Sequence, residues 1–109
     1  MTMIGGNTKA VLQQKNGFTD NDIGERIHQW TDIQTLNGFL DLSNGDSKYS
    51  TYDAKLQEST HMWICDYVSV DRNPTDKRLV VNGVAYDILL IDDPMELHQH
   101  LEIYLKFVG

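Results

Sequence analysis

RLVVNGVAYDILLI, residues 78–91, carries the clearest local structural signal in this chain. Residues of high β-propensity flank the dipeptide Asn82-Gly83 on both sides. This dipeptide favours a two-residue type I′ turn, because both central positions of such a turn need positive φ. The stretch therefore predicts a β-hairpin whose return strand runs over residues 84–91.

Further strands are predicted on both sides of this hairpin. In residues 61–70, Trp63 and Cys65 alternate with Met62 and Ile64, which predicts a central strand buried on both faces. The last apolar run, with one dry face and one wetter face, predicts a strand over 101–107. Shorter runs predict strands over 9–14, 26–31 and 34–42, and the last two can instead form one long bent strand.

Turn-forming residues separate the runs. The polar residues 18–24 predict a loop, residues 71–76 predict a turn, and Gly38 marks a possible bulge within its strand. Asp93 is expected to cap a short helical turn that starts at Pro94, since proline is well tolerated at the first helical position.

About six or seven strands with little helix predict a mainly β fold. A small antiparallel β-barrel or a sandwich fits best, and the barrel is preferred because closure removes exposed strand edges. We expect one domain over residues 1–109. The stretch 43–60 is expected to form a long loop with a short helix, and long connections in compact domains are usually functional or disordered.

The composition excludes several classes of protein. Nine Lys and Arg against 16 Asp and Glu give a net charge of −7, which disfavours a broad basic face for duplex DNA or an anionic membrane. The single cysteine, Cys65, excludes an internal disulfide framework and a cysteine-rich zinc site. Without a secretory signal or a long apolar run, we expect a cytoplasmic protein that does not contact membranes.

Two constellations could carry chemistry. His98 and His100 would share one face of an extended strand, where His61, Cys65, Asp92 or Asp93 could complete a metal site. The favoured interpretation is that the proline-capped turn separates the two rings, so no metal and no cofactor is predicted. Cys65 could pair with a histidine as a nucleophile, but inside so apolar a strand it is expected to be a small buried hydrophobe.

The acidic stretches near residues 20–22 and 71–76 lack the glycine and glutamate positions of a calcium-binding loop, so they are interpreted as solvated loops. Trp30, Trp63 and the tyrosines could stack bases, as in an oligonucleotide-binding barrel. Such a groove also needs cations that converge on one face, and most of these aromatic residues are expected in the core.

The C-terminal half carries a family resemblance. HMWICDY (61–67), DRN (71–73), KRLVVNGVAYDILLIDDP (77–94) and LEIYL (101–105) follow in an order that resembles the head-closure, or head–tail joining, proteins of long-tailed phages. The small connector proteins of PBSX-type phage-like elements are the most similar. The matching hairpin positions are Arg78, Val80, Gly83, Tyr86, Ile88 and Asp92.

The N-terminal half matches more loosely, through IGERI (23–27) and Trp30. The chain departs from the family pattern at Val84, where members often carry a second basic residue. The shared motifs are structural rather than catalytic, so no enzymatic activity is expected.

The resemblance implies a β-barrel subunit of a homo-oligomeric ring. Such a ring sits in the particle neck between the portal–adaptor complex and the tail proteins, retains the packaged DNA and docks the tail. It would assemble in the host cytoplasm. A long internal loop closes the channel in such proteins, and by position it would be 43–60 here. The residues expected to face the channel or a neighbouring subunit are Lys48, Tyr49, Tyr52 and Lys55.

Alternatives stay open at this point. Residues 43–60 could be an ordinary surface loop. The protein could be a tail-completion or tail-terminator protein, which binds the tail tube, or a small single-strand nucleic-acid-binding barrel. A metal or thiol enzyme is the least favoured.

Overall fold

A computed structural model describes residues 6–42 and 59–107 of the protein. Within these ranges the chain forms β-strands and one short 3₁₀ helix over Pro94–Glu96. The strands are β1 (Thr8–Asp20), β2 (Arg26–Leu42), β3 (His61–Asp66), β4 (Lys77–Val81), β5 (Val84–Asp92) and β6 (His100–Phe107). None of the helical structure in these ranges has the length and apolar character needed to cross a bilayer.

The six strands form one antiparallel sheet that closes on itself. Neighbours follow the order β1-β2-β3-β6-β5-β4, and β4 returns to pair with β1 from Ala10↔Val81 to Gln14↔Lys77. Closure pairs both outer strands of the sheet, so no edge is left open over this part of the ladder. The predicted mainly β fold with a small antiparallel barrel is confirmed, with six strands in the described ranges.

The hairpin predicted around Asn82-Gly83 is present. Val81 pairs with Val84, and Asn82 and Gly83 between them have φ of 51° and 80°. Positive φ at both central positions is the type I′ geometry, whose twist matches that of the flanking strands.

Alternate side chains of each strand fill the interior of the closed sheet. The fully buried members include Leu12, Trp63, Leu79, Leu101 and Ile103. Their neighbours in sequence face outward because side chains alternate along a strand. Residues 101–107 follow this alternation as predicted, apart from Phe107 at the exposed end.

Three strand boundaries differ from the prediction. Residues 18–20, expected in a loop, are the last three of β1, because the backbone of a polar segment can satisfy its hydrogen bonds across a paired strand. Residues 26–42 form one continuous strand, the second of the two alternatives. The strand predicted over 61–70 ends at Asp66, and only one of its faces is buried.

Gly38 does not mark a bulge. The register shifts between β1 and β2 lie at Leu12/Gln13 and Lys15/Phe18 instead. A Cβ on Gly38 would lie 2.2 Å from the carbonyl oxygen of Ile64, so the glycine permits close approach of two backbones.

Asp93 occupies the predicted position before the helical turn, but it does not make the hydrogen bond expected of a cap. Asp93 precedes the 3₁₀ helix and Pro94 starts it, but the carboxylate makes no capping hydrogen bond. It accepts a hydrogen bond from the backbone N–H of His98 instead, at 3.0 Å. The 3₁₀ helix is only one turn long, so the Asp93 carboxylate reaches past it to His98, two residues beyond its end.

Candidate functional site

Residues 43–58 of the segment predicted to close a channel lie outside the described residues. This holds for Lys48, Tyr49, Tyr52 and Lys55, so their predicted role is untested. The two ends of the segment are described. The chain leaves the sheet at Leu42 and returns at Ser59, which is buried.

Thr60 fixes the point of return. Its backbone N–H donates to the Leu105 carbonyl at 2.8 Å, and its hydroxyl accepts from the Phe107 N–H at 2.7 Å. The same hydroxyl lies 2.8 Å from Nδ1 of His61. Segment 43–58 is therefore attached at the end of the sheet where β2 and β6 finish and β3 begins.

A hairpin projects from the opposite end of the sheet. β4 pairs with β1 only as far as Gln14, and β3 pairs with β2 only from Gly38 onward. Residues 15–32, which we call the arm, therefore pair only within the β1–β2 hairpin, with Thr31 and Asp32 opposite Gln14 and Gln13 at its base. At about 3.3 Å per residue, the six residues 15–20 extend the sheet by roughly 20 Å.

Cations lie over aromatic rings on one face of the arm. The Arg26 guanidinium lies 3.8 Å from the centroid of Phe18. At the base of the arm, the Arg78 guanidinium and the Lys15 ammonium lie 4.2 and 5.6 Å from the centroid of Trp30. Cation–π contacts of this kind contribute about 0.5–1 kcal/mol each at exposed sites.

The arm also exposes apolar side chains. Phe18 is 49% exposed, Ile27 46%, and Ile23, in the turn at the tip, 77%. The tip is held by Asn21, whose side-chain oxygen accepts hydrogen bonds from the backbone N–H groups of Ile23 and Glu25. Phe18 lies opposite His28 and Ile27 lies opposite Thr19, so these two side chains project from opposite faces of the arm. An isolated two-stranded hairpin is marginally stable in water, so the arm depends on the contacts at its base.

A second surface lies on the outer face of the closed sheet. Register places Phe39 of β2 opposite Ile64 of β3, Ile64 opposite Glu102 of β6, and Glu102 opposite Asp92 of β5. We call these four residues the outer row. Its β2 end is apolar, with Phe39 44% exposed, and its β5 end is acidic.

Like charges lie close together at the acidic end of the outer row. Burial, followed by the like charges of Glu102 and Asp93, raises the pKa of Asp92. Glu102 accepts a hydrogen bond from the Tyr104 hydroxyl at 2.8 Å and lies 2.9 Å from Nε2 of His100. The charge of Arg72 in the same chain partly offsets this repulsion, and a positively charged partner would offset more of it.

The histidines do not form the metal site that was considered. His98 contacts the buried Asp93 carboxylate through Nδ1 and stacks on Tyr67 with centroids 4.5 Å apart, whereas His100 is engaged by Glu102. His61 lies at the other end of the sheet, with its ring 4.9 Å from that of Tyr86.

Asp93, Glu96 and His98 offer ligand atoms within 4.8 Å of one another. Both Glu96 oxygens are taken by the Arg72 guanidinium, at 2.8 and 3.0 Å. A metal ion there would displace Arg72 and meet its positive charge, so the contacts are those of a turn held by ion pairs.

Cys65 is buried, as its apolar strand predicted. Burial raises the pKa of its thiol, the nearby Trp63 side chain opposes that rise, and the charge of Asp66 adds to it. A thiol with a raised pKa is a poor nucleophile, which agrees with a packing role.

Both surfaces were missed in the sequence. Phe18 lies in the predicted loop over 18–24 and Arg26 lies just beyond it, and no pattern marks Phe39 as exposed. The usable signal was the spacing of Phe18 and Asp20 before the turn residues Asn21 and Gly24, which is typical of a hairpin tip.

Comparisons with known proteins agree with this architecture. A solution structure of a Shigella flexneri 2a protein matches with a TM-score of 0.63 at 18% identity, covering 100% of this chain and 98% of that one. A chain from the virion of a native gene transfer agent particle matches with a TM-score of 0.56 at 11% identity, covering 93% of each chain. At these identities the two matches establish the fold alone.

The search of curated proteins gave no match to this chain. The model of the phage head completion protein family does match, over residues 1–106. A match of that extent, on a closed β-sheet of the expected kind, means that the chain belongs to the phage head completion protein family.

Proposed function

We propose that this protein is the subunit of a ring that closes the phage head after DNA packaging and docks the tail. Membership of the head completion family makes its role a structural one in head completion. The family match over residues 1–106 is the observation that carries the proposal. A small closed sheet with a projecting arm suits a ring subunit, since rings form through two different surfaces repeated head to tail.

The proposed partners are the portal–adaptor complex on one side and the tail proteins on the other. The subunit would assemble in the host cytoplasm and remain in the particle neck. The likeness to a chain of a gene transfer agent virion supports a place in the particle. The family name favours the head side over the tail tube, so a tail-completion role is the weaker alternative.

Packaged DNA would pass through the ring without sequence-specific binding. A net charge of −7 supports such a conduit, because like charge disfavours binding to phosphates. We propose that residues 43–60 close the channel, with Lys48, Tyr49, Tyr52 and Lys55 toward its axis or the neighbouring subunit. The fixed attachment of Thr60 supports this, since a gate needs an anchored base.

Single-strand nucleic-acid binding is a second candidate because Lys15, Arg26 and Arg78 converge on one face with aromatic rings. Base stacking needs open ring faces. Here the cations lie over the Phe18 and Trp30 rings, which leaves the structural role better supported. We propose no catalytic step.

Deleting the gene from the phage or prophage that encodes it tests the proposal. Electron microscopy after induction should find heads that have lost their DNA beside free tails, and the wild-type gene should restore joined, filled particles. Normal particles in the deletion strain would refute the head-closure function. Rescue with a variant lacking residues 47–58 then tests the gate: joined but empty heads are expected, whereas filled heads would rule out channel closure by this segment.

A further inference from the structure

We infer that the arm of one copy docks on the outer row of the next copy, so that Phe18 and Arg26 meet Phe39 and Asp92. This inference rests on the proposed ring and names the two surfaces that would build it. The occupant of the outer row is thus a second copy of this chain.

The two surfaces lie too far apart to meet within one chain. Arg26 and Phe39 are on the same continuous strand, β2, separated by 13 residues. At about 3.3 Å per residue this places them roughly 40 Å apart, with a regular ladder between them. Each copy therefore carries a donor surface and a separate acceptor surface, which is the arrangement that closes rings by rotation.

The surfaces are complementary in charge and in polarity. The arm presents the exposed Phe18 ring with the Arg26 guanidinium over it, and His28 opposite Phe18 in the register. The outer row presents exposed Phe39 next to Ile64 at one end and the carboxylates of Glu102 and Asp92 at the other. An aromatic ring on an apolar patch, beside a guanidinium on carboxylates, is a pairing enriched at protein interfaces.

A second copy fits the outer row better than a nucleic acid fits the arm. The outer row presents apolar side chains beside carboxylates, and the arm offers an aromatic ring and a cation together: Phe18 lies opposite His28, Arg26 lies opposite Asp20, and the Arg26 guanidinium lies over the Phe18 ring. Base stacking on the arm would need open ring faces, but the Arg26 and Arg78 guanidinium groups lie over the Phe18 and Trp30 rings. Docking on the outer row must hold the acidic residues 20, 22 and 25 of the tip away from its carboxylates, because like charges repel.

Cross-linking tests the contact directly. Asp20→Cys places a thiol on the exposed arm and Asn37→Cys places one beside Phe39, while native Cys65 is buried and serves as an unreactive background. A chain with both substitutions, treated with a short bismaleimide in assembled particles or concentrated protein, should form a ladder of covalent oligomers. An equal mixture of the two single variants should stop at dimers.

The control pair is Asp20→Cys with Asp87→Cys, since Asp87 is exposed on β5, on another part of the closed sheet. It should form no ladder. A ladder from the control alone, or dimers from Asp20→Cys alone, would overturn the inference, because the arm would then contact a different surface or another arm.

Charge reversal at Arg26 and Asp92 tests the proposed contact independently. Arg26→Glu and Asp92→Arg should each lower particle rescue about tenfold or more, whereas the double variant should recover most of it. Equal thermal unfolding of the variants excludes misfolding as the cause.

If wild-type rescue works but charge reversal changes nothing and no cross-link forms, the docking contact is wrong and head closure stands. If deletion leaves particles normal, head closure is wrong, and cross-linking of concentrated protein still decides the contact. If Arg26→Glu instead abolishes salt-dependent binding of a fluorescent oligonucleotide while cross-links are missing, the arm binds nucleic acid.

Discussion

The Arg78 guanidinium lies 4.2 Å from the centroid of Trp30, and its Nε donates a hydrogen bond of 2.7 Å to Gln13. Arg78 belongs to β4 of the closed sheet, whereas Trp30 belongs to the arm. This contact joins the arm to a strand with which it shares no ladder at that level, and it lies near the hydrogen bond from the Lys15 backbone N–H to the Asp76 carbonyl at the base of the arm.

Replacing Arg78 with alanine should therefore loosen the arm. We expect faster hydrogen exchange of the backbone amides in residues 15–20 and 26–32, with unchanged protection of β3 and β6, and a loss of about 1 kcal/mol in unfolding free energy. Arg72→Ala is the matched control because Arg72 pairs with Glu96 outside the arm. Equal exchange in both variants would mean that the Trp30 contact does not hold the arm.

The close approach at Gly38 gives a second prediction. An added Cβ would lie 2.2 Å from the Ile64 carbonyl oxygen and 2.8 Å from Cβ of Cys65. Because the first neighbour is backbone and cannot rotate away, Gly38→Ala should cost about 1–3 kcal/mol in urea unfolding. Gly17→Ala is the control: no atom lies within 4 Å of its Cβ, and only its φ of +88° opposes the change. A Gly38→Ala loss no larger than that of Gly17→Ala would contradict this packing.

Local sequence patterns predicted the structure correctly where a pattern is compatible with only one local structure. Asn82-Gly83 specified its turn, and the alternation of Leu101 and Ile103 specified a buried face. Local patterns gave wrong or incomplete predictions where the structure depends on pairing with another strand. Residues 18–20 form a strand because residues 26–28 lie opposite them. The outer row is made by register across four strands, which no local pattern encodes.

Asp93 is predicted to stabilise the fold above acidic pH. Burial favours its neutral form, but the side-chain and backbone hydrogen bonds from His98 outweigh this and hold the pKa of Asp93 below its usual value. A folded-state pKa below the unfolded one contributes stability above the unfolded pKa, near 4, and this contribution is lost as pH falls through the folded pKa. Asp93→Asn should lower the thermal midpoint by several degrees near neutral pH. The difference from wild type should shrink below about pH 4, and a pH-independent difference would assign the loss to packing alone.

The neighbouring Asp92 should behave in the opposite way. Burial and then the charges of Glu102 and Asp93 raise its pKa in the folded protein, so its ionised form is unfavourable above that pKa, and the penalty disappears below the unfolded pKa. Asp92→Asn should therefore raise the thermal midpoint near neutral pH and leave it unchanged in acid.

If the outer row receives Arg26 of the next copy, the same variant should also rescue fewer particles. Greater stability with weaker assembly is expected when a charge is kept for an interface rather than for the fold. Greater stability with full rescue would show that the repulsion at Asp92 has no part in assembly, and a lower midpoint would show that Asp92 supports the fold itself.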